Sequence, residues 1–196
     1  MSAVSAMRVA PTTHRTTDRL RAAWQGGTAV VQRAAVAALV TSLVVGVTAT
    51  GGWPVQGSTA FVGMVFVGAA LVDVHEHRLP NRLLQLAAAG VLAGWATAFD
   101  GRLVARSLAG ALVAGGALLV VHLGRGVGMG DVKMAAVVGA SAGTIALVAA
   151  PIAIVVAALT ASAYGALARR SSVALGPALW FGWVAAVASA SAGWWT

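Results

Sequence analysis

The sequence of 196 residues contains no cysteine and only 5 acidic residues: Asp18, Asp73, Glu76, Asp100 and Asp131. The missing thiols exclude disulfide staples, Cys-ligated zinc and cysteine nucleophiles. The histidines at 14, 75, 77 and 122 show no HExxH or other zinc spacing. His75, Glu76 and His77 are too close in sequence to share one helix face, so neither a metal nor another cofactor is expected. Charge as a whole is scarce, at 9% of residues against about 25% in soluble domains. With 59% hydrophobic residues and a mean hydropathy of +0.87, an ordinary water-soluble globule is excluded and a polytopic membrane protein is indicated. The formal net charge of +8 comes from cations scattered between apolar runs. That pattern reads as topology signals in a lipid bilayer, not as a nucleic-acid surface.

What is present is a short basic segment followed by repeated apolar runs. Residues 1–33 carry Arg8, Arg15, Arg19, Arg21 and Arg33 and no apolar stretch of the length a cleaved signal needs. They read as a cytoplasmic tail, although an Arg-rich, acid-poor segment also suits an organelle transit peptide. Residues 34–196 read as one membrane-embedded domain. The apolar runs predict helices at about 34–50, 55–72, 83–99, 103–123, 132–149, 152–168 and 178–195, each near the ~20 residues that span a bilayer. Pro151 marks the expected break inside the long stretch 132–168. Seven spans with the N-terminus inside place every Lys and Arg on the inner side except Arg102 and Arg106, as the positive-inside rule demands. Trp53, Trp95, Trp194 and Trp195 then fall toward the outer interface. The expected fold is therefore an all-α, polytopic membrane bundle of about seven transmembrane helices, packed closely through Ala, Gly and Ser.

That topology brings Asp73 and Asp131 to the same, inner face. Asp73 directly follows the run FVGMVFVGAALV, so it belongs to the helix and not to the loop. A carboxylate at full bilayer depth costs about 2.5–3.5 kcal/mol, which makes such acids functional candidates. Asp131 closes GVGMGD, where Gly126, Gly128 and Gly130 alternate; glycines permit positive φ and close approach of another chain. Taken singly, either aspartate reads as an ordinary solvated interface charge. Two carboxylates meeting in a partly dry site cannot comfortably both ionise, so they share a proton and titrate as a unit. One can then take a proton from water while the other polarises a carbonyl, which is aspartic-protease chemistry.

The residues around both aspartates resemble those of the type IV prepilin peptidases. Asp73 to Asn81, DVHEHRLPN, is similar to that family's first motif, in which Asp is followed by a basic-rich stretch and Pro-Asn. Gly128-Met129-Gly130-Asp131-Val132-Lys133 is similar to its GxGDxK motif, and Leu175-Gly176-Pro177-Ala178-Leu179 resembles the Gly-Pro element opening its last helix. The resemblance implies an intramembrane aspartic endopeptidase that removes short basic leaders from type IV or Flp-type prepilins at the cytoplasmic face of a prokaryotic plasma membrane. Asp73 and Asp131 match the two catalytic aspartates. Gly128, Gly130, Lys133, Pro80 and Asn81 are candidate substrate-binding or supporting residues. The resemblance is to short members without the cysteine-containing segment that accompanies N-methylation.

Among these, Pro80 is expected to end the loop and Asn81 to cap the next helix. Lys133 reads either as a partner of the ionised pair, as a contact for an acidic substrate residue, or as a positive-inside anchor. The backbone of Gly128 and Gly130 is expected to pair with an extended substrate segment. Two other readings stay open: a non-catalytic membrane scaffold or transporter-like subunit, and a GxGD protease with a non-pilin substrate.

Overall fold

The computed structural model describes residues 13–49, 52–76, 79–169 and 173–194, with side chains from Val31 onward. Arg8, His77 and Trp195, named above, lie outside the described residues, as do Arg78 and Arg170. Among the described residues all regular structure is helical: α1 (Thr13–Thr48), α2 (Trp53–Glu76), α3 (Asn81–Ala98), α4 (Gly101–Leu123), α5 (Met129–Ile145), α6 (Ala149–Ala168) and α7 (Gly176–Ser191). The chain forms two compact units, 1–36 and 37–196. Helix α1 begins well ahead of the helix expected at 34–50. Residues 13–33 contain no proline and are rich in Ala, Arg and Thr, with Gly26-Gly27 their one strong helix-weakening pair.

The second unit is a helical membrane bundle. Among the described residues of the whole chain, four stretches are long and apolar enough to cross a bilayer: Val31–Thr48, which begins before this unit, Trp53–Glu76, Gly101–Leu123 and Ala149–Ala168. Leu112, Val120 and Leu123 on α4 and Leu159 and Leu167 on α6 are all exposed. Apolar surface of that extent suits lipid, not water. On α2, Val62, Phe66 and Ala69 are fully buried.

Close helix approach depends on small residues. Where α4 crosses α5, a Cβ on Gly110 would fall on the Gly139 carbonyl oxygen, and one on Gly139 would fall on that of Gly110. Polar side chains fix the remaining registers. Trp183 of α7 donates from Nε1 to Ser141 Oγ of α5 at 3.1 Å, and its ring meets Phe66 edge-on with centroids 5.8 Å apart. Trp180 donates to Ser42 Oγ of α1 at 2.9 Å.

One expectation needs correction here. The break inside 132–168 lies at 146–148, not at Pro151, which is the third residue of α6. In a first turn the missing proline N–H has no intrahelical acceptor to lose, so Pro151 starts the helix well and does not end one. Of the tryptophans expected toward the outer interface, Trp53 and Trp194 are exposed at helix ends, and Trp95, in the last turn of α3, packs against the core.

Candidate active site

Asp73 lies in the last turn of α2 because the apolar run before it carries the helix on to Glu76. Val74, His75 and Glu76 are exposed, yet Asp73 turns inward and retains 5% of its accessible surface. A carboxylate so buried must be hydrogen-bonded. Its Oδ2 accepts the backbone N–H of Gly176 at 2.8 Å. Gly176 is the first residue of α7, whose free N–H groups and dipole favour an anion at that end. The approach requires glycine. A Cβ at 176 would stand 2.9 Å from Asp73 Oδ2 and 3.3 Å from Ala70 Cα. Pro177 follows within the same first turn, where its lack of an N–H costs nothing.

Asp131 is the third residue of α5 and is half-buried. It belongs to the helix's first turn, not to the preceding loop as the sequence led us to expect. Its Oδ2 accepts the N–H of Gly128 at 3.1 Å, closing a capping arrangement at the N-terminus of α5. Burial bears most on Asp131 and the Asp73 carboxylate is a lesser influence, which puts the two expected carboxylates within electrostatic reach. Asp131 also lines a cavity of 560 Å³ together with Gly128, Ser162, Gly165 and Leu175. Leu175 immediately precedes the glycine bonded to Asp73.

The supporting residues are placed unevenly. Gly130 faces Leu79: a Cβ there would lie 3.2 Å from that of Leu79, so the glycine lets the loop after Asp73 press against α5. Pro80 ends that loop as expected, with extended φ −69° and ψ 122°; its carbonyl accepts from Leu83 at 3.0 Å. Asn81 does not cap α3. It is the first residue of that helix, and no side-chain cap is made. Its Oδ1 instead accepts a hydrogen bond from Lys133 Nζ at 3.2 Å, which ties the two sequence motifs together. The expected positive φ falls on Arg125 (φ 61°), not on Gly126, Gly128 or Gly130. The N–H of Gly128 goes to Asp131 and its carbonyl accepts from Asp131 and Val132. Both groups therefore already serve α5, and strand pairing through Gly128 would require that turn to open.

Sequence reasoning missed two contributors. His122 Nδ1 shares a hydrogen bond with the Val127 carbonyl at 2.8 Å, anchoring the glycine loop back onto α4. Its signal was faint, a lone histidine five residues before that loop position. Gly176 was visible as part of a Gly-Pro helix start, but nothing local tied it to Asp73. A family model described as the type IV leader peptidase family matches residues 59–166, a stretch that holds both aspartates and Lys133 but not Gly176. No curated protein and no solved structure matches the chain.

Proposed function

The chain belongs to the type IV leader peptidase family, and on that premise we propose that it is an aspartic endopeptidase using Asp73 and Asp131. In this reading it removes the short basic leader of a type IV or Flp-type prepilin at the cytoplasmic face of a prokaryotic plasma membrane. The observation that carries the reading is geometric: Asp73 is buried and bonded to Gly176, whose neighbour Leu175 lines the same cavity as the half-buried Asp131.

The chemistry needs one proton on the pair. The ionised carboxylate takes a proton from water as the water oxygen bonds to the scissile carbonyl carbon. The protonated carboxyl gives its proton to the carbonyl oxygen. When the resulting diol collapses, the C–N bond breaks, the nitrogen receives a proton from the pair, and a diol hydroxyl returns one. The pair ends as it began, carrying a single proton, so acid and base are roles of the unit and not of either residue. Lys133 holds Asn81 and so keeps the loop after Asp73 against α5.

Reconstitution in lipid with a prepilin-like substrate tests this directly. Asp73→Asn and Asp131→Asn should each lower cleavage by about 10²-fold or more, with the helical fold retained. Cleavage that survives either substitution would sink the paired-aspartate mechanism. Cleavage of a membrane substrate without a pilin-type leader, in preference to one with it, would move the assignment to a non-pilin substrate.

A further inference from the structure

The two carboxylates differ in the room around them. Asp73 is closed in, because the first turn of α7 sits so near that even a methyl group at position 176 would press on it. Asp131 opens onto the cavity of 560 Å³, walled by the loop at Gly126–Gly128, by α6 between Ala161 and Ala166, and by Val173 and Leu175. That volume lies within the range of sites that enclose a ligand. A peptide bond approaching the pair meets packed helix on the Asp73 side and space on the Asp131 side.

The α6 wall is made of small side chains. Ser162 and Gly165 both line the cavity and, three residues apart, share one helix face. Such a wall lets another backbone come close and leaves a serine hydroxyl as its polar group. A second cavity, of 880 Å³, lies between α2 and α3 and is lined by Phe61, Leu86 and Ala93. It includes neither aspartate nor any residue of the glycine loop.

Resting on the reading of Asp73 and Asp131 as the reacting pair, we propose that the substrate's main chain lies extended in the Asp131 cavity, between the glycine loop and α6. Ser162 and Gly165 set the size of the side chain admitted next to the cleaved bond. They are specificity residues and take no part in proton transfer.

The absence of cysteine makes the test direct. Ser162→Cys and, separately, Ala93→Cys are each introduced into the full-length chain carrying Asp131→Asn. Each is oxidised with a prepilin-like substrate bearing one cysteine beside the scissile bond. A disulfide should form from position 162 and not from position 93. Its absence at 162, or its formation at 93 alone, overturns the proposal whether or not the unaltered chain cleaves. A disulfide at 162 together with undiminished cleavage by Asp73→Asn leaves the cavity assignment standing and removes the paired-aspartate mechanism. In the otherwise unaltered chain, Ser162→Leu on exposed α6 surface should lower kcat/KM at least tenfold more for a bulky residue next to the cut than for a small one. An equal loss for both substrates overturns the specificity role.

Discussion

Asp73 and Asp131 are both held by a backbone N–H from a glycine, yet the two seats are built differently. The Asp131 bond closes over three residues within one helix turn. The Asp73 bond joins residues 103 positions apart and is buried. The first forms wherever α5 forms. The second exists only when α2 and α7 have packed, so it reports the assembled bundle. One half of the pair is thus set by local chain geometry and the other by tertiary structure.

Substituting the donors breaks this comparison most sharply. Gly176→Ala places a Cβ 2.9 Å from Asp73 Oδ2, with buried backbone behind it. Overpacking of this kind costs about 1–3 kcal/mol, and a displaced reacting group about 10²-fold in rate. Gly128→Ala meets Asp131 Oδ2 at 3.3 Å, at a more exposed position, and should cost only a few-fold. Cleavage rates of the two variants, measured side by side with thermal unfolding in detergent, check the ordering. Equal losses would show that the two seats are equivalent after all.

Removing the acceptors gives a smaller contrast. Asp73→Ala strands the buried Gly176 N–H, at a cost of about 1–3 kcal/mol. Asp131→Ala leaves the Gly128 N–H where water reaches it and should cost about 0.5–1 kcal/mol. Thermal unfolding midpoints in one detergent should therefore fall further for position 73. The smallest expected effect is at Lys133. Lys133→Met removes an exposed bond to Asn81 worth about 0.5 kcal/mol and should lower cleavage only a few-fold, with Lys133→Arg restoring most of it. A loss as large as that of Gly176→Ala would mean that Lys133 acts on the reaction itself.

What could be read beforehand follows the same division. Composition and hydropathy pointed to the seven helices of the described residues, because an apolar run marks a span, although α1 extends back to Thr13, well ahead of its run. The continuation of the FVGMVFVGAALV run carried Asp73 onto α2 with no help from tertiary structure. The break near Pro151 was misplaced because a proline ends a helix from its interior and begins one from its first turn, and the sequence does not distinguish the two. Asn81 looked like a cap because its neighbours fit one; the Lys133 ammonium across the bundle claims its oxygen instead. The glycines of the loop were credited with positive φ, whereas Gly130 serves by letting Leu79 approach. The Gly176 contact had no local signature, since its partner lies on another helix and the matched family region ends at residue 166.

The Trp183–Ser141 bond bears on the same arrangement from a distance. Seven residues beyond Gly176, Trp183 stands about 10 Å further along α7 and nearly two full turns on, so both point from one side of the helix. A slip of α7 by one residue would swing that side by about 100° and take the Gly176 N–H away from Asp73. The indole thus acts as a clock pin. It sets the angular position of α7 in the middle of the bundle, where a lost bond finds little water to replace it, and the carboxylate at the end of α2 is met at the angle so set.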